Sequence, residues 1–241
     1  SANGLIGMEI PASAYSSGQP AAYLSWFQAA AFVNWLNTSS GFQAAYNLSW
    51  DGSKYSMNLW DSQSAWNNGG VNLFRNKDAH YFITSENEWY KAAYYNPSTS
   101  AYSLYPTKSD TAPSPVLSGN SNGTAVYSPN PSLLQILDPS AIEMAGGESY
   151  YGTIGQGGNM VERLETAADR TNDNPNENRV ARGGSFFQGT NLLEATTSED
   201  HTPESQYWSL GFRISSVPEP SALSLLAVGL GGLAIIRRRR A

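Results

Sequence analysis

The stretch FITSENEW at residues 82–89 carries the signals of an extended segment that leads directly into a helix. Ser85 is followed three residues later by Glu88, which makes a capping box in which each side chain bonds to the backbone N–H of the other residue. The pattern predicts a helix that continues to about Tyr95, because Pro97 cannot extend it. Its inner face is predicted to contain Trp89, Ala92 and Ala93.

Regular structure on either side of this stretch is sparse. Residues 24–37, LSWFQAAAFVNWLN, are predicted to form an amphipathic helix, because apolar residues recur at helical spacing. That apolar set consists of Leu24, Phe27, Ala31, Phe32, Trp35 and Leu36. Short extended segments are expected at 80–84, at 208–214 and at 179–187, where Gly183 and Gly184 indicate a bulge or a close backbone approach.

Ser, Pro, Asn and Gly dominate residues 97–156. The composition predicts long loops with few regular elements. A low-complexity linker is the alternative, but tyrosines such as Tyr102, Tyr105 and Tyr127 favour an ordered segment. Two helices, a loop-rich middle and late short strands together predict a compact α+β fold.

The composition limits the functions that the chain can have. Its 241 residues contain no Cys, so disulfides, thiolate metal sites and a Cys nucleophile are excluded. Charged residues make up only 14% and aromatic residues 12%, a balance that suits an exported or carbohydrate-contacting protein, although a loop-rich fold explains it equally well. The two histidines, His80 and His201, lie far apart and lack the spacing of metal ligands.

The charge is unevenly distributed between the body and the C-terminus. Residues 1–216 contain ten Lys and Arg against nineteen Asp and Glu, which gives a net charge of −9, whereas the whole chain carries −6. An acidic body disfavours nucleic acid as a partner, because phosphate binding needs a basic face.

The C-terminal segment, residues 217–241, contains a proline-rich tetrapeptide, an apolar run and a basic cluster. The run at 221–236 has no charge over sixteen residues, and as a helix it would be about 24 Å long, against a hydrocarbon core of about 30 Å. A buried core helix is the alternative, which the adjacent basic cluster disfavours. The flanking residues are Val217, Pro218, Glu219 and Pro220 before the run and Arg237, Arg238, Arg239 and Arg240 after it.

This order resembles the PEP-CTERM sorting signal of Gram-negative bacteria that make extracellular polysaccharide. The resemblance implies recognition by an exosortase, a membrane protease-transpeptidase, which would cut near 218–220. The helix at 221–236 would then insert into the inner membrane only transiently, with the arginines cytoplasmic and the body outward. Because the sequence starts at Ser1 without an initiator Met or a signal peptide, we expect a processed form or a fragment.

Six short motifs of the body occur in the order found in the formylglycine-generating enzyme family, the sulfatase-modifying factor domain. The resemblance covers approximately residues 26–214 and implies a C-type-lectin-like core with little regular secondary structure, consistent with the α+β prediction. We therefore assign residues 1–216 to a domain of this kind. The motifs lie at 25–37, 82–93, 105–113, 157–162, 182–186 and 211–213.

Departures from the family pattern bear on the activity. The family's oxidising enzymes use paired, copper-holding cysteines, and related sulfoxide synthases bind iron with three histidines; this chain has no Cys and two separated His. The family's Gly-Asn-Val-Trp-Glu-Trp run also lacks both tryptophans here, where Val161 and Arg163 stand instead. We therefore expect a protein that is not an enzyme.

The resemblance also implies a metal site, because Asn159 and Glu162 occupy positions that in this family often help to hold a structural calcium ion. Oxygen ligands of this kind suit Ca²⁺. Alternatively, Glu162 pairs with a core arginine, either Arg182 or Arg213. The acidic segment 169–178, DRTNDNPNEN, lacks the glycine of an EF-hand loop and is expected to be a solvated surface loop.

Three functions remain open from the sequence. The first is an exported, non-catalytic surface or matrix protein that binds exopolysaccharide, another matrix component or copies of itself. The second is an enzyme with cysteine-independent chemistry in the family pocket. The third is a structural subunit of an extracellular filament or coat.

Overall fold

The computed structural model describes residues 18–67, 71–130 and 138–217, and within them the chain has an α+β fold in which long loops connect short elements. The tail at 218–241, with the expected C-terminal helix, lies outside the described residues. Among the residues described, none of the helices has the length and apolar character needed to cross a membrane.

Two α-helices and fourteen short strands make up the described regular structure, with 3₁₀ turns at Ile142–Met144 and Thr190–Leu193. The helices are α1 (Trp26–Ser39) and α2 (Glu86–Tyr94). The strands of the first half are β1 (Asn47–Trp50), β2 (Tyr55–Asn58), β3 (Ala65–Trp66), β4 (Asn72–Asn76), β5 (Tyr81–Ile83), β6 (Tyr95–Asn96) and β7 (Ala101–Tyr102). Those of the second half are β8 (Ser114–Pro115), β9 (Thr124–Ala125), β10 (Val161–Ala167), β11 (Arg179–Arg182), β12 (Glu199–His201), β13 (Leu210–Phe212) and β14 (Ile214–Ser216).

Helix α2 confirms the prediction from residues 82–89. The Ser85 hydroxyl accepts a hydrogen bond from the Glu88 backbone N–H, and the Glu88 carboxylate accepts one from the Ser85 N–H. Trp89 and Ala93 are buried, as predicted for the inner face. β5 leads into the helix as the predicted extended segment.

Helix α1 is shifted by two residues from its predicted bounds. A second capping box, between Ser25 and Gln28, starts it at Trp26. The rotation about the axis also differs, because Trp26 is fully buried whereas Trp35, predicted on the apolar face, is 38% exposed. Periodicity alone did not distinguish the two faces, since apolar residues surround most of this helix.

The largest sheet has the strand order β12-β11-β10-β13, and β10 lies in its interior. β10 pairs antiparallel with β11 and parallel with β13. The predicted closing strand at 208–214 is divided at Arg213, because β13 joins this sheet while β14 pairs with β5. The consecutive strands β13 and β14 thereby connect the largest sheet to β5, the strand that precedes α2.

The predicted strand at 179–187 ends at Arg182 because the glycine pair turns the chain. Gly183 has φ +96°, and a Cβ there would lie 2.8 Å from the Gln156 carbonyl oxygen. The glycines therefore mark a close backbone approach, which was one of the two predicted alternatives.

The segment 97–156 is loop-rich, as predicted. Within its described part the strands β7, β8 and β9 are each two residues long. Tyr105 and Tyr127 are buried and pack with Leu193. Apolar anchors therefore hold these loops against the body.

Strand β10 connects the two helices through its opposite faces. Leu164 packs against Trp89 and Ala93 of α2. On the other face, Ala167 packs in the cluster around Trp26 and Val33 of α1. Because β10 is buried on both faces, its charged side chains need partners within the protein.

Glu165 is the most completely enclosed of these charges. Its side chain is 0% exposed, and it receives hydrogen bonds from Arg75 Nη2 at 2.7 Å and Nε at 2.9 Å and from the Tyr46 hydroxyl at 2.9 Å. Arg75 also lies 3.5 Å from the centre of the Phe82 ring, a cation–π contact. The ion pair thus links β10, β4 and the segment before β1.

Tyr46 extends this network to β5. Its hydroxyl donates to Glu165 and accepts a hydrogen bond from the Ile83 backbone N–H at 2.8 Å. Burial, reinforced by the Glu165 charge, raises the pKa of Tyr46 well above its usual value, so the hydroxyl stays protonated as a donor.

Substitution of Glu165 by Gln is expected to lower the free energy of unfolding by about 3–5 kcal/mol, because the buried Arg75 guanidinium would keep only the partly exposed Glu88, at 3.3 Å, as a counter-charge. Denaturant unfolding followed by tryptophan fluorescence measures this loss.

The matched control is Glu148→Gln, whose carboxylate is 51% exposed and lies 3.9 Å from Lys108 Nζ. Exposed pairs contribute little, so a change below about 0.5 kcal/mol is expected. Equal effects of the two substitutions would contradict the role assigned to Glu165.

Candidate functional site

One cleft of the described residues, which we call the central cleft, has a volume of about 760 Å³. Its walls come from 19–21, the 142–145 turn, the loop at 152–155, the start of β10 and the β13–β14 junction. Side chains such as Ile142, Met160 and Phe212 make the lining predominantly apolar. A cleft of this size falls within the roughly 300–1,000 Å³ range of small-molecule sites.

Glu162 lies at the floor of the central cleft and is 7% exposed. Its Oε1 accepts a hydrogen bond from Arg213 Nη2 at 2.7 Å, and its Oε2 accepts from Arg213 Nε at 2.9 Å and from Trp89 Nε1 at 2.6 Å. The Glu162 charge raises the pKa of Arg213, which therefore stays cationic. The pairing of Glu162 with Arg213 is one of the two alternatives that the sequence left open.

Asn159 lies at the edge of the same cleft and is 3% exposed. Its Oδ1 accepts a hydrogen bond from the Ser140 N–H at 2.7 Å, and its Nδ2 donates to the Ser140 carbonyl at 3.3 Å. The residue has φ +61°, a conformation that Asn tolerates. Asn159 thus fixes the loop at Ser140 against the sheet, and the structure brings Asn159 and Glu162 to one cleft.

A second, polar pocket of about 520 Å³ lies at the start of α2. Glu88 faces it with a side chain that is 39% exposed and lies 3.3 Å from Arg75. Burial raises the pKa of Glu88. The charge of Arg75 and the hydrogen bonds from Arg75 and Ser85 outweigh this effect, and the pKa of Glu88 therefore lies below its usual value. Glu86 accepts hydrogen bonds from Arg182 and Arg170 at the same helix end.

Sequence reasoning missed the buried ion pairs of Glu165 with Arg75 and of Glu86 with Arg182. The sequence contained a signal for such pairs. Glu162 and Glu165 lie in β10, a strand whose residues are almost all buried, and buried carboxylates need a positively charged partner. Arg182 contacts Glu86 and the carbonyls of the 195–197 loop instead of Glu162.

The acidic segment 169–178 brings together the carboxylates of Asp169, Asp173 and Glu177, whose oxygens lie within 4.8 Å of one another. Asp169 and Asp173 are exposed, and Glu177 is partly buried. The predicted position of this segment at the surface is confirmed. Three carboxylates at this spacing could hold a hard cation, although exposed acidic groups of this kind are common without one.

Of the sorting-signal residues, only Val217 lies within the described part of the chain. Its backbone N–H donates to the His80 carbonyl at 2.9 Å, so the domain reaches the first residue of the tetrapeptide. Pro218, Glu219, Pro220 and Arg237, Arg238, Arg239 and Arg240 lie outside it.

The described fold is that of a loop-rich α+β domain. The model of the sulfatase-modifying factor enzyme 1-like domain matches residues 8–216, and the chain belongs to this family. A model of the PEP-CTERM protein-sorting motif matches residues 216–240. Both resemblances stated from the sequence are thereby confirmed, and the signal indicates exosortase-dependent export to the cell surface of a Gram-negative bacterium.

Two solved structures share the fold. The Treponema denticola variable protein 1 matches with a TM-score of 0.56 and 18% identity over 90% of this chain and 78% of its own. CarF matches with a TM-score of 0.53 and 20% identity over 86% of this chain and 72% of its own. Comparison with curated protein sequences gave no match.

Calcium at Asn159 and Glu162 stays a prediction. An ion there would have to replace the Arg213 guanidinium on the Glu162 carboxylate. If calcium binds at this position, added Ca²⁺ raises the thermal unfolding temperature by mass action, and Glu162→Gln removes the response.

Thermal unfolding of the wild-type chain with Ca²⁺ or EDTA provides the measurement, and Asp173→Asn is the control for the acidic segment. A Ca²⁺ response that survives Glu162→Gln, or the absence of any response, contradicts the prediction.

Proposed function

We propose that the chain is an exported, non-catalytic protein of the cell surface or extracellular matrix that uses the family scaffold to bind a matrix component. The observation that carries the proposal is the combination of a matched sulfatase-modifying factor domain with a sorting motif in a sequence without Cys. The delivery signal is retained, whereas the thiolates of the family's oxidation chemistry are not.

The state of the central cleft supports a binding role. Two charged residues of its lining, Glu162 and Arg213, are joined by two hydrogen bonds, and Arg213 also donates to the Ile154 carbonyl at 2.8 Å. The third charged residue of the lining, Glu143, is exposed. A general base needs an oxygen positioned to take a proton from a substrate, whereas both oxygens of Glu162 accept hydrogen bonds from protein donors. The apolar part of the lining offers surface for a ligand.

The polar, weakly charged exterior favours a glycan among the matrix components. Tyr102, Tyr151 and Tyr207 are about half exposed, at 52%, 47% and 50%. Aromatic side chains with a polar end are suited to contacts that are partly apolar and partly hydrated. A hydrated polysaccharide presents both kinds of surface.

For delivery, we propose transient insertion of the segment 221–236 into the inner membrane, with the body outward and the arginines cytoplasmic. Exosortase then cuts near 218–220 and releases or re-anchors the body. This orientation is inferred from the four arginines at 237–240, because Lys and Arg next to a membrane-inserted segment stay on the cytoplasmic side.

The function is tested by incubating the full-length chain, in mild detergent, with exopolysaccharide immobilised from an exosortase-bearing bacterium. We expect retention of the chain that soluble exopolysaccharide reverses. We also expect no oxidation of the cysteine in a sulfatase-derived peptide.

Size measurement over a range of protein concentrations accompanies this test. Concentration-dependent assembly without polysaccharide binding would favour the filament subunit, whereas turnover of the peptide would favour an enzyme. A strict monomer that binds no matrix component would overturn the proposal.

A further inference from the structure

A groove of about 270 Å³ lies between the hairpin β1–β2 and the start of α1, apart from the central cleft. Its volume is close to the lower end of the roughly 300–1,000 Å³ range of small-molecule sites, which suits a ligand unit of a single ring. Trp50 and Tyr55 line one side. Three polar side chains from two other segments, Asn176, Glu204 and Gln206, also line the groove and are called the polar wall. Lys54, in the turn between β1 and β2, lines it as well.

The aromatic wall is built by strand pairing. Trp50 and Tyr55 face each other across the hairpin, with ring centres 4.7 Å apart and planes tilted by 51°. Both residues are partly buried and line the groove. Met57 on the same hairpin packs into the core around α1, which attaches the aromatic wall to the body.

The polar wall is held by two buried arginines. Arg163 is 2% exposed, and its Nη2 donates to the Ser205 carbonyl at 2.6 Å, directly between Glu204 and Gln206. Its Nη1 donates to the Leu24 carbonyl at 3.3 Å, next to the helix start that forms the floor of the groove. Gln206 in turn donates from Nε2 to Gln28 Oε1 at 3.0 Å.

Arg179 holds the second loop in the same way. It is 0% exposed, and it donates to the carbonyls of Pro175 and Glu177, the residues on either side of Asn176. Its guanidinium lies 4.7 Å from the Trp26 ring centre and 4.3 Å from that of Phe74. The loop that presents Asn176 is therefore fixed from within the core.

Burial of these arginines is energetically costly. Desolvation lowers the pKa of Arg163 and of Arg179 to about 10, and the Nε of each has no hydrogen-bond partner among the described residues. Burial of a polar group without a hydrogen-bond partner costs free energy. In both cases the donors reach backbone carbonyls that flank a groove-lining side chain, which indicates preorganisation of the polar wall.

We propose that this groove binds a neutral hexopyranose unit of a polysaccharide, with the sugar ring stacked on Trp50 and its hydroxyls bonded to Asn176, Glu204 and Gln206. Aromatic surface opposite amide and carboxylate groups matches a ring with apolar faces and a rim of hydroxyls. The lining contains one cation, Lys54, and one anion, Glu204, which balance each other, and the net charge of −9 on residues 1–216 disfavours a polyanionic polysaccharide. This assignment rests on the proposed binding function and specifies its ligand class.

Affinity electrophoresis of the full-length chain in detergent, in gels containing dextran, laminarin or galactomannan, tests the assignment. Alginate serves as the anionic comparison. We expect at least one neutral polymer to retard the chain and alginate not to. Trp50→Ala should weaken the retardation at least about tenfold, whereas Trp35→Ala, which alters a tryptophan that is 38% exposed on α1, should change it less than about twofold.

The double substitution of Asn176 and Gln206 by Ala removes two exposed amides and leaves the hairpin unchanged. It is expected to weaken retardation at least about fivefold, and it decides the outcome if Trp50→Ala does not fold. Retardation that survives these changes, or binding to alginate alone, overturns the groove assignment while the proposed function stands. Failure of the wild-type chain to bind any polysaccharide overturns the assignment, and the absence of all matrix binding and self-association overturns the function as well.

Discussion

The buried ion pair between Arg75 and Glu165 joins residues ninety positions apart, and the fold depends on it because β10 is enclosed on both faces. A carboxylate in the middle of such a strand would destabilise the domain without a counter-charge. Arg75 provides that charge, and through Glu88 it also contacts the first turn of α2. A local capping box is thereby connected to the central sheet. These ion pairs therefore fix the position of α2 and β4 relative to β10 in a chain rich in loops.

Burial of charged side chains in ion pairs also determines which side chains line the clefts. Glu162 and Glu165 of β10 each pair with an arginine from another segment, and Glu86 pairs with Arg182. These ion pairs hold elements of the fold together. The central cleft and the groove also present aromatic rings, amides and apolar side chains, together with the carboxylates of Glu143 and Glu204. Such surfaces are suited to binding. The same principle applies to Arg163 and Arg179, whose buried guanidinium groups position loops at the surface.

Local signals in the sequence predicted local structure well. The Ser85–Glu88 box located α2, whereas the equivalent box of Ser25 and Gln28 was overlooked, which displaced the start of α1. The periodic pattern of apolar residues does not tell which of Trp26 and Trp35 is buried. In the structure Trp26 is buried and donates to the Leu164 carbonyl of β10, whereas Trp35 is 38% exposed. The partners of Glu165 and Glu86 could not be assigned, because pairing over many residues depends on topology and not on spacing. The family and the sorting signal were recognisable from ordered motifs, whereas the groove beside β1–β2 combines residues from four distant segments.

A double-mutant cycle on Arg75 and Glu165 tests most directly whether their pairing governs the fold. The free energies of unfolding of Arg75→Met, of Glu165→Gln and of the double variant are compared with that of the wild-type chain. If the two charges stabilise each other in the core, the double variant loses less stability than the sum of the single losses, by at least about 2 kcal/mol. Losses that add within about 0.5 kcal/mol would contradict this account, because independent sites behave in that way.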